Sequence, residues 1–183
     1  MTTIIIVVLV ICLLAIWIIS GYNSLVSLRN KVKESFSTMD VYLKKRWDLI
    51  PNLVETVKGY AKHESETLES VTNIRSSSYD DLSDEEKVDV NNKLTAGIHK
   101  LLAVAENYPD LKANENFMNL SEQLSKVEAD IANARKYYNA TVRELNNKVE
   151  MFPSNIIAKM FNFQGAKMFE AGAEERENVK VKF

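Results

Sequence analysis

Hydrophobic positions fall into two different patterns along the first sixty residues. From Ile4 to Ile19 the chain is apolar on every face, carrying no charge and, apart from Cys12 and Trp17, only hydrocarbon side chains. A hydrocarbon core of about 30 Å takes roughly 20 residues of helix. Thr2, Thr3, Ser20, Gly21 and Tyr22 extend the run to that length, because small polar residues and Tyr sit at the membrane interface. Beyond it the pattern becomes periodic. Leu25, Leu28, Val32, Phe36, Met39, Leu43, Trp47, Ile50, Val54, Val57 and Ala61 recur in steps of three and four, the signature of a helix packed along one face. Leu68, Val71 and Ile74 continue the stripe, so one helix is expected to run from the apolar segment through all of them. Pro51 removes a backbone donor inside it, and because the stripe keeps its phase a kink is expected there rather than a break.

A Ser/Asp-rich loop follows at 76–81. Ser83-Asp84-Glu85-Glu86 has the pattern of a capping box, in which hydroxyl and carboxylate satisfy each other's orphan amides. It opens a second helix with Val90, Leu94, Ile98, Leu101 and Leu102 inward, ending before the turn Asn107-Tyr108-Pro109-Asp110. A third helix begins near Asn114, with the stripe Phe117, Leu120, Leu124, Val127, Ile131, Ala134, Tyr138, Val142, Leu145 and Val149. Pro153 ends it, and Ser154 is placed to cap a short fourth helix, Asn155 to Phe161. The expected fold is all-α: an N-terminal transmembrane helix leading into an antiparallel bundle of long helices. Residues 1–3 form a short exterior end, 4–22 the anchor, 23–163 the bundle, and 164–183 a mobile or partner-docking tail.

A cleaved signal peptide would need a basic n-region and a small-x-small cleavage site, neither of which accompanies this run. An uncleaved anchor is therefore expected, with Cys12 a lipid-facing thiol. No Lys or Arg precedes the run, whereas Arg29, Lys31, Lys33, Lys44, Lys45 and Arg46 follow it. Cytoplasmic flanks are enriched in Lys and Arg, which places the N-terminus outside and the bundle in the cytoplasm, in a single pass of the cell membrane. Five Gly and three Pro leave few breaks in the whole chain, which favours long helices. A net charge of −2 gives no indication of nucleic acid binding. Glu64 to Asp89 holds nine acids against Arg75 and Lys87, far in sequence from the basic segment near the membrane. The single cysteine rules out an internal disulfide framework.

Several short motifs occur in an order that resembles the LemA family. They are Tyr22-Asn23-Ser24-Leu25-Val26, Arg29-Asn30, Asp48-Leu49-Ile50-Pro51-Asn52-Leu53-Val54 and Val57-Lys58-Gly59-Tyr60-Ala61. Tyr108-Pro109-Asp110-Leu111-Lys112-Ala113, Tyr138-Asn139 and Phe152-Pro153-Ser154-Asn155-Ile156-Ile157-Ala158 follow. The resemblance covers residues 20–163 and the anchor. It implies a bacterial single-pass membrane protein with an α-helical cytoplasmic domain and a poorly defined molecular role. It also implies an association with membrane zinc proteases and other small membrane proteins. The tail ending Lys182-Phe183 departs from the family pattern.

No catalytic, metal or cofactor constellation stands out. His63-Glu64-Ser65-Glu66-Thr67 begins like a zinc-protease helix but lacks the second histidine, and His99 has no ligand at metal spacing. The candidate positions are instead points of contact. Asp48, Pro51 and Asn52 mark the expected kink, where short polar side chains are expected to satisfy freed backbone groups. Tyr108 and Pro109 mark the turn, and Asn139 follows a Tyr138 read as core. Phe152, Pro153, Asn155, Phe161 and Phe163, with Phe169, Met151, Met160 and Met168, form an aromatic and Met-rich segment that caps the bundle or docks a partner or the bilayer. The expected function is a membrane-anchored, non-enzymatic scaffold. Its candidate partners are the lipid bilayer, a membrane protease or other membrane proteins, and further copies of itself. The alternative is a sensor bundle that binds a ligand and relays a signal.

Overall fold

The computed structural model describes residues 1–61, 63–75 and 77–169. Among them all regular structure is helical, as expected: α1 (Thr2–Tyr60), α2 (Ser65–Asn73), α3 (Asp84–Ala105), α4 (Pro109–Lys112), α5 (Glu115–Glu150) and α6 (Ser154–Met160), with a 3₁₀ turn at Tyr79–Asp81. The chain divides into two compact units, one of residues 1–38 and 134–169, the other of residues 39–133. Helices α1 and α5 contribute residues to both. Helix α1 passes through Pro51 without interruption and contains a stretch long and apolar enough to cross a membrane.

In the first unit the C-terminal part of α5 runs antiparallel to α1. Lys31 pairs with Glu144 at 2.8 Å, Ser35 meets Thr141 at 2.9 Å, and the Phe36 ring lies 5.7 Å from that of Tyr138. Leu25, Val32, Val142, Leu145, Ile157 and Ala158 form the core, with Leu28, Tyr138, Val149 and Phe163 packed against it. Ser35 and Thr141 are buried, and each also lies 2.8 Å from a carbonyl of its own helix. Their two hydroxyl protons serve two of these three contacts at a time: one hydroxyl donates across to the other, which accepts and donates to the carbonyl of its own helix.

Helix α6 ends in a Schellman motif. The Phe163 amide donates to the Ala158 carbonyl at 2.8 Å and the Asn162 amide to Lys159 at 3.2 Å. Asn162 adopts φ 54°, a left-handed conformation that asparagine tolerates better than most side chains. Ser154 does not cap α6. Its hydroxyl donates back to the Met151 carbonyl at 2.9 Å, since the turn before α6 leaves that acceptor within reach.

Residues 164–169 run extended along α5 and are held by two asparagines. The side chain of Asn146 exchanges both hydrogen bonds with the backbone of Ala166, and Asn139 does the same with Phe169. Seven residues of helix rise about 10.5 Å, and three extended residues cover about 10 Å, so the two clasps stay in register. Gly165 permits the approach, since a Cβ there would lie 2.7 Å from Asn146 Oδ1. This part of the expected tail is therefore held by its own chain; the remainder, 170–183, lies outside the described residues.

In the second unit the α1 stripe is buried as the spacing predicts, from Met39 through Leu43, Trp47, Ile50, Val54 and Val57 to Ala61, with Leu53 added. The expected continuation through Leu68, Val71 and Ile74 is not part of the same helix. Helix α1 stops at Tyr60, and α2 restarts at Ser65 and packs on α3. The contact depends on Gly97, where a Cβ would lie 2.9 Å from Val71 Cγ2 and 3.6 Å from Ile74 Cδ1. The apolar side chains of α2 are buried on this partner helix, which outweighs continuing the α1 ladder. Asn114 caps α5, its Oδ1 accepting the Phe117 amide at 3.0 Å.

The capping box of α3 is complete: the Glu86 amide donates to Ser83 Oγ, and the Ser83 amide donates to Glu86 Oε2 at 2.8 Å. The side-chain and backbone bonds from Ser83 hold the Glu86 carboxyl below its ordinary 4.5. A depressed carboxyl contributes stability above its unfolded value and loses it as pH falls through the folded value. Ser83→Ala is expected to cost about 1 kcal/mol. Protection of the first-turn amides of α3, corrected for the intrinsic exchange rate at each pH, should therefore fall in that variant at neutral pH, and fall in the parent only as pH drops below 4.5.

Candidate functional site

Two regions combine unusual burial with unusual exposure. The first lies in unit two, around Arg46. Its stripe neighbours Leu43, Trp47 and Ile50 place this residue on the packed face of α1, and its side chain has 0% exposure. Nη1 donates to Glu128 Oε2 of α5 at 2.6 Å and to Thr95 Oγ1 of α3 at 3.0 Å. Nη2 donates to the Asn91 carbonyl at 2.6 Å and also to Asn91 Oδ1. One guanidinium thus ties three helices together, its planar fork matched to acceptors on two of them. Thr95 and Glu128 also line a cavity of about 400 Å³ between α3 and α5, with Ile98, His99, Leu124 and Ser125 among its walls. The Glu128 side chain is 43% exposed, so the network reaches from the core to solvent.

Beside it, the Tyr79 hydroxyl donates to Asp40 Oδ1 at 2.6 Å, and Lys87 pairs with the other Asp40 oxygen at 3.0 Å. The Tyr79 ring lies 5.5 Å from Trp47. Burial, and then the bond to Asp40, pushes the Tyr79 phenol well above its ordinary 10.0, so it remains a neutral donor. The Ser/Asp loop is thereby pinned to α1 by a buried aromatic.

The second region lies in unit one, at the turn from α5 to α6. Phe152 is 80% exposed, and Met151, Ile156 and Met160 are also exposed. Behind them α6 is pressed against α1. A Cβ on Gly21 would lie 2.3 Å from Ile157 Cδ1, so glycine makes room for that buried side chain. The Tyr22 ring lies 4.8 Å from Phe161 and 5.6 Å from Phe163, both edge-on, and the Arg29 guanidinium sits 5.3 Å from the centre of the Phe163 ring. A groove of about 800 Å³ runs beside this contact, lined by Trp17, Ser20 and Ser24 of α1 and by Lys148, Phe152 and Pro153.

The candidate positions do not converge on one site. Asp48 is on the surface and pairs with Lys44 at 2.8 Å, so it does not serve the backbone near Pro51; the lysine one turn earlier competes successfully for its carboxylate. Pro51 is half-buried, and Asn52 is exposed, its carbonyl accepting from Thr56 Oγ1 at 2.7 Å. The half-buried Tyr108 reaches Glu64 at 3.4 Å, and Pro109 opens α4. Asn139 holds Phe169. Asn155 is half-buried beside the α6 turn, and Phe152, Pro153, Phe161 and Phe163 gather at the α1–α6 contact.

Arg46 and Ser35 were not among the candidates. Both sit three residues after a stripe member, Leu43 and Val32, and that spacing is the signal that would have found them. Reading Arg46 with the surface cations hid it. Among the described residues no group of three or more His, Cys, Asp or Glu is placed to hold a metal.

The LemA family model matches residues 35–183. The chain is 27% identical to the protein LemA of Metamycoplasma hominis over 158 residues, covering 86% of this chain and 72% of that one. It is also 30% identical over 71 residues to the magnetosome proteins MamQ 1 and MamQ 2 of Paramagnetospirillum magneticum, covering 39% of this chain and 26% of each of those.

Removing one partner of a buried ion pair costs about 3–5 kcal/mol, and the partial exposure of Glu128 lowers the expectation for Glu128→Ala to about 2 kcal/mol. Arg46→Ala should cost more than Arg46→Met, because methionine refills the core volume. Thermal denaturation followed by helical circular dichroism checks the order. Equal losses for both Arg46 variants would show that the network, not the packing, dominates.

Proposed function

The chain belongs to the LemA family, and from that premise we propose that it acts as a membrane-anchored, non-enzymatic scaffold whose helical bundle faces the cytoplasm. The observation that carries this reading is the continuity of α1. Its side chains are exposed around the whole circumference from Ile4 to Ile16, and from Leu25 onward the same helix supplies the core of the bundle. The helix that would span the bilayer is thus the one on which the core of the first unit packs. Arg29, Lys31 and Lys33 fall within the window near the membrane in which basic residues set orientation, and this supports the cytoplasmic placement. The partners of such a scaffold are other membrane proteins, a membrane protease among them, or further copies of the chain.

The cavity beside Arg46 favours a second reading, a bundle whose helices respond to a small ligand held between α3 and α5. The cavity is of a size that takes such ligands. Ligand-dependent protection of Ser121 and Ser125 amides from exchange would favour this reading over the scaffold.

Orientation is the prior test. With Cys12 replaced by serine, Ser77→Cys in the loop is expected to escape an impermeant maleimide in intact cells and to react after lysis. Labelling without lysis would reverse the topology. Crosslinking in native membranes followed by mass spectrometry is then expected to join this chain to other membrane proteins. Crosslinks between copies alone would turn the reading to a self-assembling structural role.

A further inference from the structure

We infer that the turn between α5 and α6, with the outward face of α6, lies embedded in the interfacial layer of the bilayer as a second membrane contact beside α1. The inference rests on the reading of Ile4–Ile19 as a membrane span. The depth of α6 follows from its contacts with α1. Ile157 packs into the space left by Gly21, Phe161 meets Tyr22 edge-on, and Phe152 shares a groove with Trp17 and Ser20. Gly21 and Tyr22 lie only about 3–5 Å along the helix beyond Ile19, within a headgroup layer of about 5–8 Å per leaflet. The first charged residue after the run, Arg29, packs on Phe163 at the far side of the same contact.

The chemistry of the exposed face suits that depth. Phe152 is 80% exposed, and Met151, Ile156 and Met160 are exposed by 50% or more. Ile156 and Met160 are four residues apart and share one side of α6. The Phe152 ring lines the groove beside Trp17 and is otherwise open to the surroundings. Lys148 and Lys159 flank the group, with Glu150 the acid nearest in sequence, and lysine stems reach from such a depth to phosphates. Amphipathic helices immerse their apolar face by about 5–10 Å at the boundary of headgroups and chains. A contact between proteins would not require the patch to sit at the level of Trp17 and Tyr22; a contact with lipid does.

The test uses the full chain with Cys12→Ser, reconstituted in phosphatidylcholine/phosphatidylglycerol vesicles and labelled with an environment-sensitive dye on single cysteines. The positions are Leu9→Cys, Phe152→Cys, Ile156→Cys and Lys136→Cys, each checked for retained helicity. Lys136 is exposed on α5 and lies about 21 Å of helix from the end of α5 at Glu150, before the turn that carries Phe152. Dye at 152 and 156 is expected to shift to the blue and lose fluorescence to lipids carrying a nitroxide near the headgroup. Dye at 136 should do neither. Dye at 9 should be quenched only by a nitroxide deep in the acyl chain. If 152 and 156 behave like 136 while 9 is deep, the inference falls and the span stands. A blue shift at 152 without quenching by any lipid nitroxide overturns it equally, because protein rather than lipid then covers the patch. If 9 escapes the deep nitroxide, the span reading fails and takes the inference with it.

Discussion

The structure depends on the unbroken backbone ladder of α1. Along its fifty-nine residues the side chains follow the helical period, and each unit packs on its own part of it. The sequence exploits this by changing the hydrophobic pattern without changing the helix. The apolar run needs no preferred face, and its side chains are exposed all round from Ile4 to Trp17. From Leu25 onward the apolar residues narrow to a stripe, which fixes how α5 and α6 pack against it in the first unit and how α3 and α5 are buried in the second. Pro51 does not interrupt this, because the stripe on either side holds Ile50, Leu53 and Val54 in the core.

Within the second unit the least expected feature is a buried cation in that stripe. A guanidinium taken out of water loses a large hydration energy, which is recovered only when its donors meet acceptors in good geometry. Asn91 meets two of those needs, with its carbonyl and its side chain, and Thr95 and Glu128 meet others. An apolar residue of the same volume would pack at least as well. What Arg46 adds is register: only one sliding position of α3 and α5 along α1 brings these acceptors to the fork, whereas leucine against leucine tolerates several. The buried pair Ser35 and Thr141 imposes the same kind of condition on α5 in the first unit.

Much of this was legible beforehand. The stripes of α1, α3 and α5, the capping box at Ser83 and the short final helix all follow from period and local hydrogen-bonding chemistry. The break at residues 61–64 was not, because the stripe kept its phase across it and no proline or left-handed glycine marks the end. The partner that makes the break favourable is Gly97, more than twenty residues away, whose missing side chain is visible only when α2 is seen against α3. Asp48 was misread for a related reason: the i,i+4 partner Lys44 offers a charge, and local spacing alone does not say which of two acceptors or donors wins. Gly21, read from the sequence only as an extension of the apolar run, is where the side chain of Ile157 on α6 packs against α1. The exposed apolar face at the α5–α6 turn was legible as composition, in its Met and Phe content, but not as geometry.

The burial of Arg46 also changes the accounting of charge near the membrane. Of the six cations that follow the apolar run, Arg46 is sealed in the core and Lys44 is paired with Asp48. Both lie, with Lys45, beyond the roughly 15–20 residues over which basic residues influence orientation. That leaves Arg29, Lys31 and Lys33. Lys31 is bonded to Glu144, and that bond first of all raises its pKa above the ordinary 10.5, so it stays charged at any physiological pH. The orientation rule counts cations and largely ignores neighbouring acids, so the pairing does not remove Lys31 from it. The three that remain sit on the same stretch of α1 that holds α6, and Arg29 touches Phe163 directly. The basic flank and the apolar patch are therefore two parts of one surface, with the patch on the side of the apolar run and the charges on the side of the bundle. A surface graded in that order is what the boundary between hydrocarbon and headgroups selects.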